Sequence, residues 1–197
     1  MAPTPTTRLS PRRGVLARFH RAAAVALLLM TGACTDVPPG VQPVRPFDIK
    51  RYLGEWYEIA RLDHSFERGL TNVTAIYTAR NDGSVGVVNR GLDRKSCRWK
   101  DAAGKAVFQG ARDTPSLSVT FFWPFTGGYH VFALDKQDYS WAMVSGPSRD
   151  YLWILARRPD LSSQIRESLV AQAKALGFPV NGLILVDHSR PNCGQGR

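Results

Sequence analysis

The sequence predicts an all-β fold, an eight-stranded antiparallel up-and-down β-barrel with one C-terminal α-helix packed on the outside. The first observation is a series of eight strand-like runs between residues 54 and 157, joined mostly by short turns. The second is a helix-like run that follows the last of these strands. Because consecutive strands can all pair as neighbours, the sheet can close on itself and leave no unpaired edge.

The strands are predicted in the order of the chain. A short helical turn at 48–53 precedes the first strand, which opens at Gly54, where the missing side chain lets backbones approach closely. Asn81-Asp82-Gly83 is a hairpin signal between the second and third strands. An aromatic turn is predicted at 123–128. The eight strands are predicted at 54–62, 72–80, 84–91, 106–112, 116–122, 129–134, 139–145 and 150–157.

The helix is predicted from one apolar stripe after the eighth strand. Asp160 is the expected N-cap, and Gly177 followed by Phe178-Pro179 ends the helix. A final short strand is expected at 183–187. The stripe needs an apolar partner, and the outside of the barrel supplies it; its members are Leu161, Ile165, Leu169, Ala173 and Leu176.

The N-terminus carries an export signal. Basic residues precede the apolar run 22–30, which is too short to span a bilayer, and small residues follow it. Thr31-Gly32-Ala33-Cys34 resembles the bacterial lipobox, in which the cysteine is lipidated and becomes the mature N-terminus; the alternative is an ordinary signal peptide with an incidental cysteine. By the same resemblance, Thr35 favours the outer membrane. Arg12-Arg13 leaves twin-arginine export open beside the general route.

The chain therefore divides into four parts. These are a lipoprotein signal peptide at 1–33, a lipidated cysteine with a proline-rich tether at 34–47, a barrel domain at 48–188 and a tail at 189–197. The tether composition is typical of an extended spacer that lets the domain stand off the membrane. With Cys34 lipidated, Cys97 and Cys193 remain in a compartment that permits disulfides, so we expect them to be bridged, against the alternative of two free thiols.

The charge and the motifs exclude several classes of function. The formal net charge of +10 includes five arginines in 1–33, so about +5 remains on the mature part, without a long basic run. That argues against a nucleic-acid partner and suits anionic lipid head groups. H-E-x-x-H, C-x-x-C, G-x-S-x-G and phosphate-loop motifs are missing from the sequence. No catalytic residue, metal site or cofactor is therefore predicted.

Three motifs carry a family resemblance. They are Gly54-Glu55-Trp56 in the first strand, the Asp-Tyr turn at 134–139, and the arginine that ends 152–157. In this order the chain resembles a lipocalin, specifically a bacterial outer-membrane lipocalin of the apolipoprotein D-like branch. The resemblance implies that Gly54, Trp56 and Arg157 are structural, with the guanidinium lying across the indole at the closed end of the barrel.

The resemblance also implies which side chains line the barrel. If Trp56 points inward, alternation places Glu58 and Ala60 inward too. A carboxylate there needs a partner, and Glu58 is expected to have a structural role more than a ligand contact. The predicted ligand-binding residues, which combine aromatic and aliphatic groups with a few polar ones, are Ala75, Tyr77, Val87, Asn89, Val119, Phe121, Tyr129, Val131, Trp141, Met143, Tyr151 and Trp153.

Such a lining suits a fatty acid or a lysophospholipid. The expected function is a membrane-anchored protein that binds, stores or transports these lipids without catalysis. Two alternatives remain, an enzyme acting on a lipid or small hydrophobic molecule in the same cavity, and a structural envelope lipoprotein with a filled barrel. The sequence also leaves a homodimer open.

Overall fold

A computed structural model describes residues 35–189 and shows a closed antiparallel barrel. The strands follow the order β2-β3-β4-β5-β6-β7-β8-β1-β9, and β1 also pairs with β2, which closes the sheet into a cylinder. The strands are β1 (Gly54–Arg61), β2 (Leu70–Ala79), β3 (Val85–Asp93), β4 (Arg98–Phe108), β5 (Ser116–Phe122), β6 (Phe125–Leu134), β7 (Trp141–Ser145), β8 (Leu152–Ala156) and the short β9 (Ile184–Leu185). The predicted eight-stranded barrel is confirmed.

Two strand predictions were wrong in extent. β4 begins at Arg98 rather than near residue 106, because it pairs along its charged first half with β3, from Asp93↔Arg98 to Val85↔Ala106. The predicted aromatic turn at 123–128 is mostly strand: Phe122 pairs with Phe125, and the loop between β5 and β6 holds two residues. In both places backbone pairing formed where the apolar alternation was too weak to predict it.

Two α-helices and a 3-10 helix (Val180–Gly182) accompany the barrel within residues 35–189. The helix α1 (Ile49–Tyr52) precedes β1, and α2 (Ser163–Ala175) follows β8. The N-cap of α2 is Ser162, whose Oγ accepts a hydrogen bond from the Ile165 amide at 3.3 Å, so Asp160 was the wrong cap. Leu169 and Ala173 of the predicted stripe are buried on the barrel wall, and Leu161 and Leu176 pack against them. Ile165 was predicted to join this face but is 36% exposed.

The segment before α1 lies against the barrel. It was predicted to be an extended tether that holds the barrel domain away from the membrane. Instead, Val41 and Phe47 are buried, with 5% and 6% of their surface exposed. The Val44 amide donates to the Val131 carbonyl at 2.9 Å. The proline-rich composition gave an extended chain. Val41 packs in the cluster on the outer wall, and Phe47 packs against Tyr52 and Tyr139 at the floor.

The barrel has two different ends. One end, which we call the floor, carries α1, the start of β1 and the turn between β6 and β7. The other end, which we call the mouth, carries the loops at 62–69, 94–97, 123–124 and 146–151. No helix within residues 35–189 has the length and apolar character needed to cross a membrane.

Candidate functional site

The floor is closed by a cation over an indole. The Cζ atom of Arg157 lies 4.0 Å from the centre of the Trp56 ring, and Trp56 is fully buried. The indole Nε1 donates to the Tyr52 carbonyl at 2.8 Å. Gly54 has φ +97°, and a Cβ there would lie 3.4 Å from Nη1 of Arg157, so a side chain would be strained and crowded. The residues predicted to be structural thus meet at one place.

Three tyrosines lie just above the floor. The hydroxyl of Tyr129 lies 2.7 Å from that of Tyr52 and 2.8 Å from that of Tyr77. Burial raises the pKa of all three phenols, so they are protonated at neutral pH. Two contacts use two of the three hydroxyl protons, which leaves one proton free to be donated to another acceptor.

The inner wall carries most of the predicted lining residues. Tyr77, Val87 and Val131 belong to the apolar cluster inside the barrel, and Asn89 shares the inward face of β3 with Val87. Other predicted residues pack against this cluster while keeping partial exposure. Because these side chains face inward, solvent reaches them through the inside of the barrel. They are Ala75, Val119, Phe121, Tyr129 and Trp153.

Two predicted lining residues face the other way. Trp141 and Met143 belong with the cluster between the barrel and α2, and the inward residues of β7 are Ala142 and Val144. A bulge in β6 between Val131 and Ala133 shifts the register against β7. A one-residue shift exchanges the two faces of a strand, so the predicted inward placement was wrong.

A second bulge creates a buried ionic cluster that the sequence did not predict. It lies in β1 between Glu58 and Ala60 and turns Ala60 outward and Arg61 into the barrel. Nη1 of Arg61 lies 2.6 Å from Oε1 of Glu58, and Nη2 donates to the Glu67 carbonyl at 2.8 Å. Oε2 of Glu67 accepts from Nε1 of Trp153 at 3.0 Å. The partner expected for Glu58 is thus Arg61.

The two carboxyl groups of this cluster share one guanidinium. Burial, together with the nearby charge of Glu67, raises the pKa of Glu58 well above its usual value, against the opposing effect of Arg61. Burial also raises the pKa of Glu67, against its hydrogen bond from Trp153 and the charge of Arg61. One proton shared by the two carboxyl groups makes the cluster neutral, which is the state that burial favours.

An aromatic stack borders this cluster at the mouth. The ring of His64 lies 4.8 Å from that of Tyr151 and 5.3 Å from that of Phe66, both nearly parallel, and 4.9 Å from that of Trp153. Burial, with the charge of Arg61, lowers the pKa of His64 to about 4, so the ring is neutral at neutral pH. The mouth therefore offers planar apolar faces beside polar groups.

One of the three predicted cysteine sites lies within residues 35–189. Cys97 lies at the mouth, between β3 and β4, with φ +52°. Cys34 and Cys193 lie outside the described residues, so lipidation of Cys34 and the pairing of Cys97 with Cys193 stay predictions.

A barrel that is plugged at one end, apolar within and bordered by polar groups at its mouth defines a protein that binds small hydrophobic ligands. Residues 47–188 match the family model described as a lipocalin-like domain. The chain belongs to the lipocalin family.

Named relatives share most of the chain. It is 47% identical over 166 residues to "Outer membrane lipoprotein Blc" of Vibrio cholerae, covering 83% of this chain and 97% of that protein. It is 49% identical to the protein of the same name in Escherichia coli strain K12, covering 84% and 93%. Apolipoprotein D of Bos taurus is 34% identical, covering 58% of this chain and 63% of that protein. The solved structure of insecticyanin from Manduca sexta shares the fold, with a TM-score of 0.61 and 22% identity over 80% of this chain and 89% of that chain.

Proposed function

We propose that the protein is an outer-membrane-anchored lipoprotein that binds, stores or transports fatty acids or lysophospholipids in its barrel, without catalysis. The observation that carries the proposal is the inward-facing apolar wall that remains partly exposed to the barrel interior. The membrane assignment is supported by relatives that are named outer membrane lipoproteins and by the predicted lipidation of Cys34.

The interior offers distinct surroundings for the two halves of such a lipid. An acyl chain would lie along Val119, Phe121 and the other apolar side chains, which gain from losing contact with water. A polar head group would find hydrogen-bonding partners at the mouth, where Glu67 and Arg61 lie beside aromatic faces. The oxygen Oδ1 of Asn89 is buried without a hydrogen-bond partner in the described part of the chain, and a ligand hydroxyl could satisfy it.

The proposal is tested by placing a large side chain inside the barrel, where the ligand would bind. Ala75 lies on the inner face of β2 with partial exposure, and its neighbour Ile76 points outward. We expect Ala75→Trp to weaken binding of a fluorescent fatty acid or lysophospholipid at least tenfold, because the indole would occupy the space of the ligand. Ile76→Trp adds the same indole outside the barrel and should bind as the wild type does.

Both variants would be compared with the wild-type protein by titration and by mass spectrometry of lipid that co-purifies with them. Equal binding by the Ala75→Trp and Ile76→Trp variants would place the ligand outside the barrel and contradict the proposal. Wild-type protein that shows neither saturable binding nor bound lipid would favour a structural envelope lipoprotein. Turnover of the lipid, lost on changing Glu58 or Tyr129, would favour an enzyme.

A further inference from the structure

The mouth exposes an unusual number of aromatic side chains. Phe122, Trp123 and Phe125, which with Pro124 we call the aromatic hairpin, are 74%, 89% and 78% exposed. Two other aromatic side chains are exposed within residues 35–189. They are Phe66 and Trp99, and both lie at the same end of the barrel. Apolar surface gathered at one end of a molecule marks a place of contact with another apolar phase.

The aromatic hairpin is held in its exposed position. Phe122 and Phe125 are cross-strand partners, and the hydroxyl groups of Thr120 and Thr126 lie 2.7 Å apart just below them. The preceding residue, Phe121, packs against the inner cluster. Phe121 thus lines the barrel interior, whereas the tip of the aromatic hairpin is exposed to solvent.

A basic hairpin stands at the same end. Residues 94–100 form the turn between β3 and β4 and the start of β4. They include four basic residues and no acidic one, and all seven are exposed. Arg94 and Lys100 pair with Asp187 and Asp93. Within residues 35–189, Lys95 and Arg98 have no acidic partner. Aromatic and unpaired basic side chains at one end are the combination that favours the interface of an anionic bilayer.

The predicted anchor joins the chain on the outer wall, about midway along the hairpin of β5 and β6. The Thr35 carbonyl accepts a hydrogen bond from Nε2 of Gln109 at 2.8 Å and lies 2.9 Å from where a Cβ of Gly128 would be. Gly128 lies three residues below Phe125 on β6, which is about 10 Å along a strand. From Thr35 the chain then runs toward the floor, where the Phe47 amide donates to the Asp113 carbonyl. Cys34, the residue predicted to carry lipid, is covalently joined to Thr35, which lies on the wall that ends in the aromatic hairpin, about 10 Å along the strand from the tip.

From this placement we propose that the mouth of the barrel docks on the anionic phospholipid surface of the membrane that holds the anchor. The aromatic hairpin enters the boundary between head groups and acyl chains, and Lys95 and Arg98 contact lipid phosphates. A barrel docked in this way opens toward the bilayer, so a lipid reaches the interior without crossing bulk water. The docking surface is separate from the ligand-binding interior and does not depend on the identity of the ligand.

The test uses the full chain, exported, extracted in detergent and reconstituted in vesicles of phosphatidylethanolamine and phosphatidylglycerol. Phospholipids brominated near the head group quench the emission of tryptophans that enter the bilayer. We expect quenching in the wild type and loss of most of it in Trp123→Ser, because Trp123 is the most exposed tryptophan at the mouth. Val107→Ser is the matched control, since Val107 is 48% exposed on the outer wall toward the floor and should leave quenching unchanged.

A second variant tests the charges. Lys95→Glu combined with Arg98→Glu should reduce quenching, whereas exchanging phosphatidylglycerol for phosphatidylcholine should reduce it only in the wild type. Circular dichroism would show that both variants fold.

Quenching that is equal in wild type and Trp123→Ser would overturn the proposal. So would a wild-type dimer in detergent that dissociates on Trp123→Ser, since the hairpin would then contact a second copy. If the wild-type protein showed quenching but bound no lipid in its barrel, only the proposed function would be contradicted.

Discussion

At the scale of single residues, His64 shows how the mouth responds to pH. The ring is stacked between Phe66 and Tyr151, and its Nε2 is buried without a hydrogen-bond partner among the described residues. Its pKa is lowered to about 4, whereas the ordinary value is 6.5. The unfolded chain therefore takes up a proton near pH 6.5 that the folded protein takes up only near pH 4. The stability that His64 contributes is lost as the pH falls through this window.

We expect His64→Phe to remove this loss. Phenylalanine keeps a planar ring between the two neighbours and does not titrate. The free energy of unfolding, measured in urea, should fall between pH 7 and pH 4.5 by about 1–2 kcal/mol more in the wild type than in the variant. The pair Glu58 and Glu67, whose raised pKa values act in the opposite direction, is present in both proteins and cancels in the difference.

Tyr151→Phe is the control for this measurement. It keeps the stacked ring and leaves His64 in place, so its stability should follow the wild-type dependence on pH. Parallel profiles for wild type and His64→Phe would show that His64 does not resist protonation in the folded protein.

At the scale of elements, bulges decided which predictions held. The alternation of strands predicted inward placement well for Tyr77, Val87 and Val131, which lie on stretches of β2, β3 and β6 outside the bulges. It failed for Trp141 and Met143, beyond the β6 bulge. Arg61 was missed for the same reason, because alternation places it outward. A bulge leaves no mark in the apolar pattern, since it depends on how two distant strands meet.

The cap of α2 is a prediction at this scale. The hydroxyl of Ser162 accepts the Ile165 amide, while Asp160 pairs with the exposed Arg158. Ser162→Ala leaves a first-turn amide without its acceptor and should lower the free energy of unfolding by about 1 kcal/mol. Asp160→Ala removes an exposed ion pair and should change it by less than about 0.5 kcal/mol. Thermal or urea unfolding would measure both. The reverse order of effects would make Asp160 the cap after all.

At the scale of the whole molecule, the two ends of the barrel differ in kind. The floor was predictable because a short sequence motif marks both members of the pair Trp56 and Arg157. The mouth was not, because its cluster and its stack join residues from β1, β8 and the two loops that follow β1 and β7. The tether was half predicted: composition gave its extended backbone, and only tertiary contacts show where Val41 and Phe47 are buried.

Arg157 holds these parts of the molecule together at the floor. Besides covering Trp56, its guanidinium donates to the carbonyl groups of Arg51 at 2.7 Å, Leu53 at 2.9 Å and Glu55 at 2.8 Å. One side chain at the end of β8 thereby joins α1 and the start of β1. A lysine carries the same charge but lacks the planar group that can stack on the indole and reach three acceptors at once.

We therefore expect Arg157→Lys to lower the free energy of unfolding by about 2–4 kcal/mol, because several carbonyl groups lose a charged donor and the indole loses its cover. The neighbouring residue provides a matched control. Arg158 is exposed and pairs with Asp160, so Arg158→Lys should change the stability by less than about 0.5 kcal/mol. Urea unfolding followed by far-ultraviolet circular dichroism would measure both variants. If the Arg157→Lys protein were as stable as the Arg158→Lys protein, the barrel would be closed by the packing of Trp56 alone, and the arginine would contribute no measurable stability to the floor.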